Sequence, residues 1–205
     1  AMAEELPRAS VKHLTKTDYR QDVIAVYPMG DPHFGMFAWG EETGEDFDLK
    51  IAEKDLCSAV ARLVDTVPSC ENALIINLGD FFHSDNVSGT TTKGTALDTD
   101  TRWPKVLRVG VKAIRQCIES ALEKHQHVTV CNAIGNHDTH TAMFLSVALA
   151  NIYENESRVT IISNPTIKHY HRFGKNLFGI HHGHTIKMRD LPFQMASDRP
   201  EDWGD

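Results

Sequence analysis

Gly135-Asn136-His137-Asp138 sets three side chains able to bind a cation or move a proton side by side, at the end of the apolar run 128–134. Val128, Val130 and Ile134 are strand formers and Gly135 permits an abrupt change of backbone direction, so the pattern predicts a strand that ends in a reactive loop. Taken alone, the same residues also fit a plain polar turn, because Gly-Asn is a common turn dipeptide. Three more clusters of similar composition decide between the two. Asp31-Pro32-His33 follows the run 22–27, Gly79-Asp80-Phe81-Phe82-His83 follows the run 73–78, and His181-His182-Gly183-His184 closes the run 176–181. Seven of the 12 histidines, His33, His83, His137, His140, His181, His182 and His184, lie in or beside these segments. Neutral imidazole is the commonest nitrogen ligand of transition metals, so the clustering points to a metal site.

Carboxylate, imidazole and amide oxygen without thiolate suit Mn²⁺, Fe or Zn²⁺ in a catalytic site better than a structural zinc. Asp80 could bridge two cations about 3.5–4 Å apart, the spacing of two-metal hydrolytic sites. Such a pair grips both oxygens of a phosphate and acidifies a bridging water, whose hydroxide attacks phosphorus in line. A nearby imidazole then protonates the leaving oxygen. His137 fits that role, with Asn136 on the metal and Asp138 orienting the ring.

The elements that must position these groups follow from periodicity. Residues 22–27 read as a buried central strand bounded by Pro28, Gly30 and Pro32, and 34–45 as a glycine-bearing loop. Leu49, Ala52, Leu56, Val60, Leu63, Val64 and Val67 recur at helical spacing, closed by Pro68. After the strand 73–78 comes an aperiodic stretch, 84–103, long enough to be a functional or a disordered loop. Val106, Leu107, Val111, Ile114, Ile118, Ala121 and Leu122 predict a second helix, and 128–134 a third strand. A helix over 139–153 is expected to turn Phe144, Val147, Ala148 and Ile152 to one face, and 158–163, 166–173 and 176–181 read as strands. Residues 1–20 read as an N-terminal arm and 186–205 as a polar tail without a closing element. Strand and helix units in succession predict an α/β domain with a partly parallel sheet, whose ligands meet beyond the carboxyl ends of the strands. The four clusters are then one site.

Composition narrows the class. The whole chain, 1–205, reads as one domain with 41% hydrophobic residues, enough for a sizeable core. A formal charge of −7 disfavours a passive duplex-DNA binder. Cys57, Cys70, Cys117 and Cys131 show no C-x-x-C spacing and read as reduced thiols of a cytoplasmic protein, and no apolar run suggests a membrane partner.

The ordered set D-x-H, G-D, G-N-H-D and H-G-H, spread over residues 31–184, resembles the calcineurin-like metallophosphoesterase superfamily. The resemblance implies a layered sandwich of helices flanking mixed β-sheets and two divalent cations, Mn²⁺ first. It implies Asp31 and His33 on one metal, Asp80 bridging, Asn136 and His182 on the other, and His137 as the catalytic imidazole beside Asp138. His181 and His184 compete with His182 for its place. The family supplies a later G-H-x-H motif that nothing after His184 matches, so the expectation is first a chain lacking its C-terminal strands, otherwise His184 as a substitute metal ligand or a weakly bound first metal. The Gly79-Asp80-Phe81-Phe82 turn and the Asp at the end of G-N-H-D look similar to the nuclease subunits of break-repair complexes. This implies a phosphodiesterase acting on nucleic acid or nucleotide, with His83 in contact with substrate. Phosphomonoester or phosphoprotein hydrolysis and a catalytically weak binding or scaffold module are the alternatives.

Overall fold

The computed structural model describes residues 18–204 of the chain. Four strands, β1 (Arg20–Met29), β2 (Cys70–Asn77), β3 (His127–Asn132) and β4 (Val159–Ile162), form a parallel sheet in the order β1-β2-β3-β4. The helices between them are α2 (Leu49–Thr66), α3 (Trp103–Leu122) and α4 (Thr139–Ile152), while the short α1 (Gly40–Thr43) lies within the β1–α2 connection. Parallel neighbours joined in sequence order by right-handed crossovers put every crossover helix on the same face of the sheet.

The period of two along the strands divides the apolar residues between two faces. Ala25, Tyr27, Ala73, Ile75, Val128 and Val130 join the helices in the larger core, with Ile114, Ile118, Leu122, Leu145 and Leu149. Leu74, Ile76 and Cys131 point the other way, against Ile180 and the partly buried Phe178. Those last two belong to an antiparallel hairpin, β5 (His169–Phe173) with β6 (Asn176–Ile180), which forms a sheet of its own. Each fully buried aliphatic side chain contributes about 1.5–3 kcal/mol relative to exposure, so the helix side of the sheet dominates stability.

Register fixes where the chemistry begins. Met29, Asn77 and Asn132 lie in one row across β1, β2 and β3 at their carboxyl ends. Asp31, Asp80 and Asn136 follow that row by two, three and four residues. The predicted strands and the three long helices are therefore present, with the stretch from Leu78 to Arg102 making only isolated bridges such as Thr90 with Ala96.

Three expectations need correction. The interval 34–45 holds the single helical turn α1, begun at Trp39 and ended by Gly44 in left-handed backbone. The tail is not without structure: a 3₁₀ turn (Met188–Asp190), α5 (Leu191–Asp198) and α6 (Pro200–Trp203) follow the hairpin. Met195 of α5 lies against Gly179 of β6. The buried face of α4 is Thr141, Ala142, Leu145, Ser146 and Leu149, whereas Phe144 and Val147 are exposed. Asn132 at the end of β3 donates to Ala142 O and Ser146 Oγ, so the inner face of α4 is partly polar and a count of apolar residues chooses the wrong one. The arm at 1–20 falls outside the described residues up to 17, and Arg20 already belongs to β1. Among the described residues no helix is long and apolar enough to cross a membrane, and all four cysteines are free.

Candidate metal centre

Asp31, His33 and Asp80 carry backbone φ values of 46°, 46° and 47°, and they are the non-glycine residues with positive φ among those described. Left-handed backbone costs a non-glycine residue about 1–3 kcal/mol and persists only where its surroundings enforce it. Here the two loops brace each other. His33 N donates to Asp80 O at 3.1 Å, Phe34 N to Phe81 O at 2.8 Å, and His83 N to Phe34 O at 3.0 Å. Phe34, Phe81 and Phe82 beneath them are buried, Phe34 stacks on Phe81 at 4.8 Å, and the Phe82 ring presses on Gly110 of α3. The aromatic pair after Asp80 is thus an anchor that drives the loop into the core.

The Gly135 loop closes on the same carboxylate. His137 N donates to Asp80 Oδ1 at 2.8 Å, and a Cβ at Gly135 would collide with both Asp80 Oδ1 and Asp80 N. Asp138 is fully buried; its carboxylate accepts from Phe82 N at 3.0 Å and Gly135 N at 3.3 Å. Burial pushes its pKa up to about 7, against the Phe82 hydrogen bond and with help from Asp80 and Asp85. The sequence expects Asp138 to orient His137. In the structure that place belongs to a main-chain oxygen: His137 Nδ1 lies 2.8 Å from His83 O, and since a carbonyl only accepts, Nδ1 carries the proton.

His182 is held in the same manner, with Nδ1 3.1 Å from Leu78 O. A neutral ring then turns the Nε2 lone pair inward, the arrangement found behind metal-binding histidines. Nε2 meets Asn136 Oδ1 at 3.1 Å and Asp80 Oδ2 at 3.4 Å. Three electron-rich atoms from the ends of β2, β3 and β6 therefore face one another, which a cation between them would satisfy. A second group, Asp31, His33 and Asp80, offers one ligand atom each within 4.8 Å of the others. His182 Nδ1 is also 3.7 Å from Asp31 Oδ1, so the two groups adjoin through Asp80 and His182. These His/Asp groups could hold a metal ion.

His33 and His83 complete the cluster. Their ring nitrogens lie 3.3 Å apart, and His137 packs edge-on to His33 at 4.8 Å between centroids. Burial lowers the pKa of both, with the neighbouring His137 acting in the same sense; His83 falls to about 4. Both rings present lone pairs at neutral pH. The other two candidates at the hairpin end lie apart. His181 has both nitrogens engaged, by Thr185 Oγ1 at 2.8 Å and Gly183 N at 2.7 Å. His184 is exposed beside His182, with 5.2 Å between ring centroids, and joins neither ligand group.

Asp85 is a residue the sequence does not single out. It is buried, and its carboxylate accepts from Thr141 N at 2.8 Å, Thr141 Oγ1 at 2.7 Å, His140 N at 3.1 Å and Thr92 Oγ1 at 2.8 Å. Asp138 occupies the N-cap of α4 without a capping bond, so Asp85 caps that helix from the long loop. His140 stays on the surface as expected, its ring against Asp85. Asn77 Nδ2 donates to Asn132 Oδ1 at 2.5 Å and locks the ends of β2 and β3 together beneath the site. The chain matches no protein-family model, no curated protein and no solved structure.

Proposed function

We propose that this chain is a phosphoester hydrolase working with two divalent cations, Mn²⁺ before Fe or Zn²⁺, on a phosphodiester of nucleic acid or nucleotide. The sequence motifs, similar to those of metallophosphoesterases and their break-repair nuclease branch, suggest the substrate. One observation carries the reading: Asp31, His33, Asp80, Asn136 and His182, from the ends of four strands, gather around one buried carboxylate. Asp31, His33 and Asp80 would hold one cation, and Asp80, Asn136 and His182 the other. Bound there, the pair would supply an acidified water and charge stabilisation at the phosphoryl oxygens. In a chain of charge −7 such cations would offset the repulsion of a phosphodiester.

The protein's own groups do the rest. His137 has Nδ1–H committed to His83 O, so the proton for a leaving oxygen would be a second one, carried by the imidazolium on Nε2, 4.0 Å from Asp80 Oδ2, with the ring left neutral after transfer. Asp138 holds the loop that carries it. His83, buried between His33 and His137, borders the space that substrate would fill.

Mn²⁺-dependent hydrolysis of bis-p-nitrophenyl phosphate tests the reading, and its absence in the wild-type chain would overturn it. His137→Ala is expected to lower kcat by about 10²–10⁴, the usual worth of a general acid, with bound Mn²⁺ unchanged. Undiminished turnover would remove His137 from the role.

A further inference from the structure

We propose that His33, His83 and His137 form a further cation site, all imidazole, which selects Zn²⁺ over Mn²⁺ and, when filled, silences the carboxylate-bearing pair beside it. The silencing rests on the hydrolase reading above; the binding does not. The three residues come from the ends of β1, β2 and β3, and one ring nitrogen of each lies within 4.8 Å of the others. His33 Nδ1 and His83 Nδ1 are 3.3 Å apart. Two nitrogens on one tetrahedral zinc, at about 2.0–2.1 Å each, stand about 3.4 Å from one another. The pair already has the span of two ligands to a shared ion. His137 has only to close the remaining gap, and with Nδ1 committed to His83 O the atom it offers is Nε2.

Ligand type sets the selectivity. A set of three imidazoles with no carboxylate suits Zn²⁺ and disfavours Mn²⁺, which prefers oxygen, whereas Asp31-His33-Asp80 next to it is carboxylate-rich. Three protein nitrogens also leave a fourth tetrahedral position for water. His33 is common to both groups, and His137 is the proton donor of the proposed reaction. Zn²⁺ seated on the imidazoles therefore ties up the donor and competes for a ligand of the hydrolytic pair.

Calorimetric titration of ZnCl₂ and MnCl₂ into the chelator-treated full chain tests the site directly. His83→Ala is expected to lower Zn²⁺ affinity by at least about tenfold, the least that loss of a group around a metal costs. Mn²⁺ binding should be kept, which also reports that the variant is folded; Asp80→Asn should show the opposite pattern. Co²⁺ used as a probe should give intense four-coordinate visible bands in the wild type that His83→Ala loses. If His83→Ala fails to fold, His83→Gln is titrated in its place. Zn²⁺ affinity equal to wild type in the folded variant overturns the site. On the diester, the Zn²⁺ concentration that halves the Mn²⁺-supported rate, each protein against its own zinc-free rate, should rise by a similar factor in the variant. An unchanged halving concentration overturns the silencing and leaves the hydrolase reading standing. Absence of Mn²⁺-dependent turnover in every protein removes that reading and the silencing with it, and calorimetry then decides the site alone.

Discussion

Left-handed backbone at Asp31, His33 and Asp80 means that these three positions are held in place by the surrounding loops and do not adopt their form for local comfort. Asp80→Asn is the informative change there, because Asn tolerates left-handed backbone as Asp does. Stability should stay within about 1 kcal/mol while bound Mn²⁺ is lost, measured by metal analysis after gel filtration; retained metal would contradict the bridging role. Gly135 is constrained differently. An added Cβ there meets the Asp80 main chain and cannot be relieved by turning a side chain, so Gly135→Ala should cost about 3 kcal/mol or more in urea unfolding. An unshifted midpoint would show that the loop yields. The candidate ligands were legible in the sequence because each is a metal-binding type set directly after an apolar run. The partners that orient them were not. His137 and His182 are aimed by the carbonyls of His83 and Leu78, and a backbone acceptor leaves no mark on residue type.

At the scale of elements, periodicity found the parallel strands and the three long helices, and register explains why their ends converge. What it missed depends on contacts distant in sequence. The buried face of α4 is set by Asn132 and Asp85, polar partners that a hydrophobic stripe cannot announce. Asp85 lies 55 and 56 residues from the amides it caps, so no local spacing reveals it. The helices after Thr185 are short and expose Met188, Phe193 and Trp203, which blurs any amphipathic pattern. The cap gives an element-scale prediction. Asp85→Ala removes the acceptor from the first turn of α4 and should destabilise by about 1–2 kcal/mol, read as a lower urea midpoint. Asp85→Asn, which keeps one acceptor oxygen, should recover part of the loss. Because α4 begins next to Asp138, the Ala variant should also weaken Mn²⁺ binding, whereas an intact midpoint and intact binding would deny the cap its role.

Across the whole molecule, histidine burial decides how the protein responds to acid. His33, His83, His125, His169, His171, His181 and His184 all have lowered pKa values with burial as the largest cause. Each is neutral when folded and binds a proton more readily when unfolded, near the ordinary value of about 6.5. Their contribution is therefore present above about pH 6.5 and lost as pH falls through the folded values, for His83 down to about 4. Asp138 works in the other direction. Its folded pKa of about 7 lies above the unfolded carboxylate value, so its contribution is full at low pH and lost as pH rises towards 7. Seven imidazoles oppose one carboxyl group, and the expected net effect is loss of stability in acid. The Tm of the cation-free chain should fall steadily between pH 7 and pH 4, followed by circular dichroism in the presence of a chelator. His169 supplies the internal control, because it is buried in β5 with neither ring nitrogen hydrogen-bonded and belongs to neither His/Asp group that could hold a cation. His169→Leu removes an unsatisfied polar ring at small cost or with a gain and should flatten the acid limb. A wild-type Tm that holds or rises on acidification would mean that Asp138 outweighs the imidazoles, whereas a His169→Leu acid limb as steep as that of the wild type would mean that this ring is already protonated in the folded state.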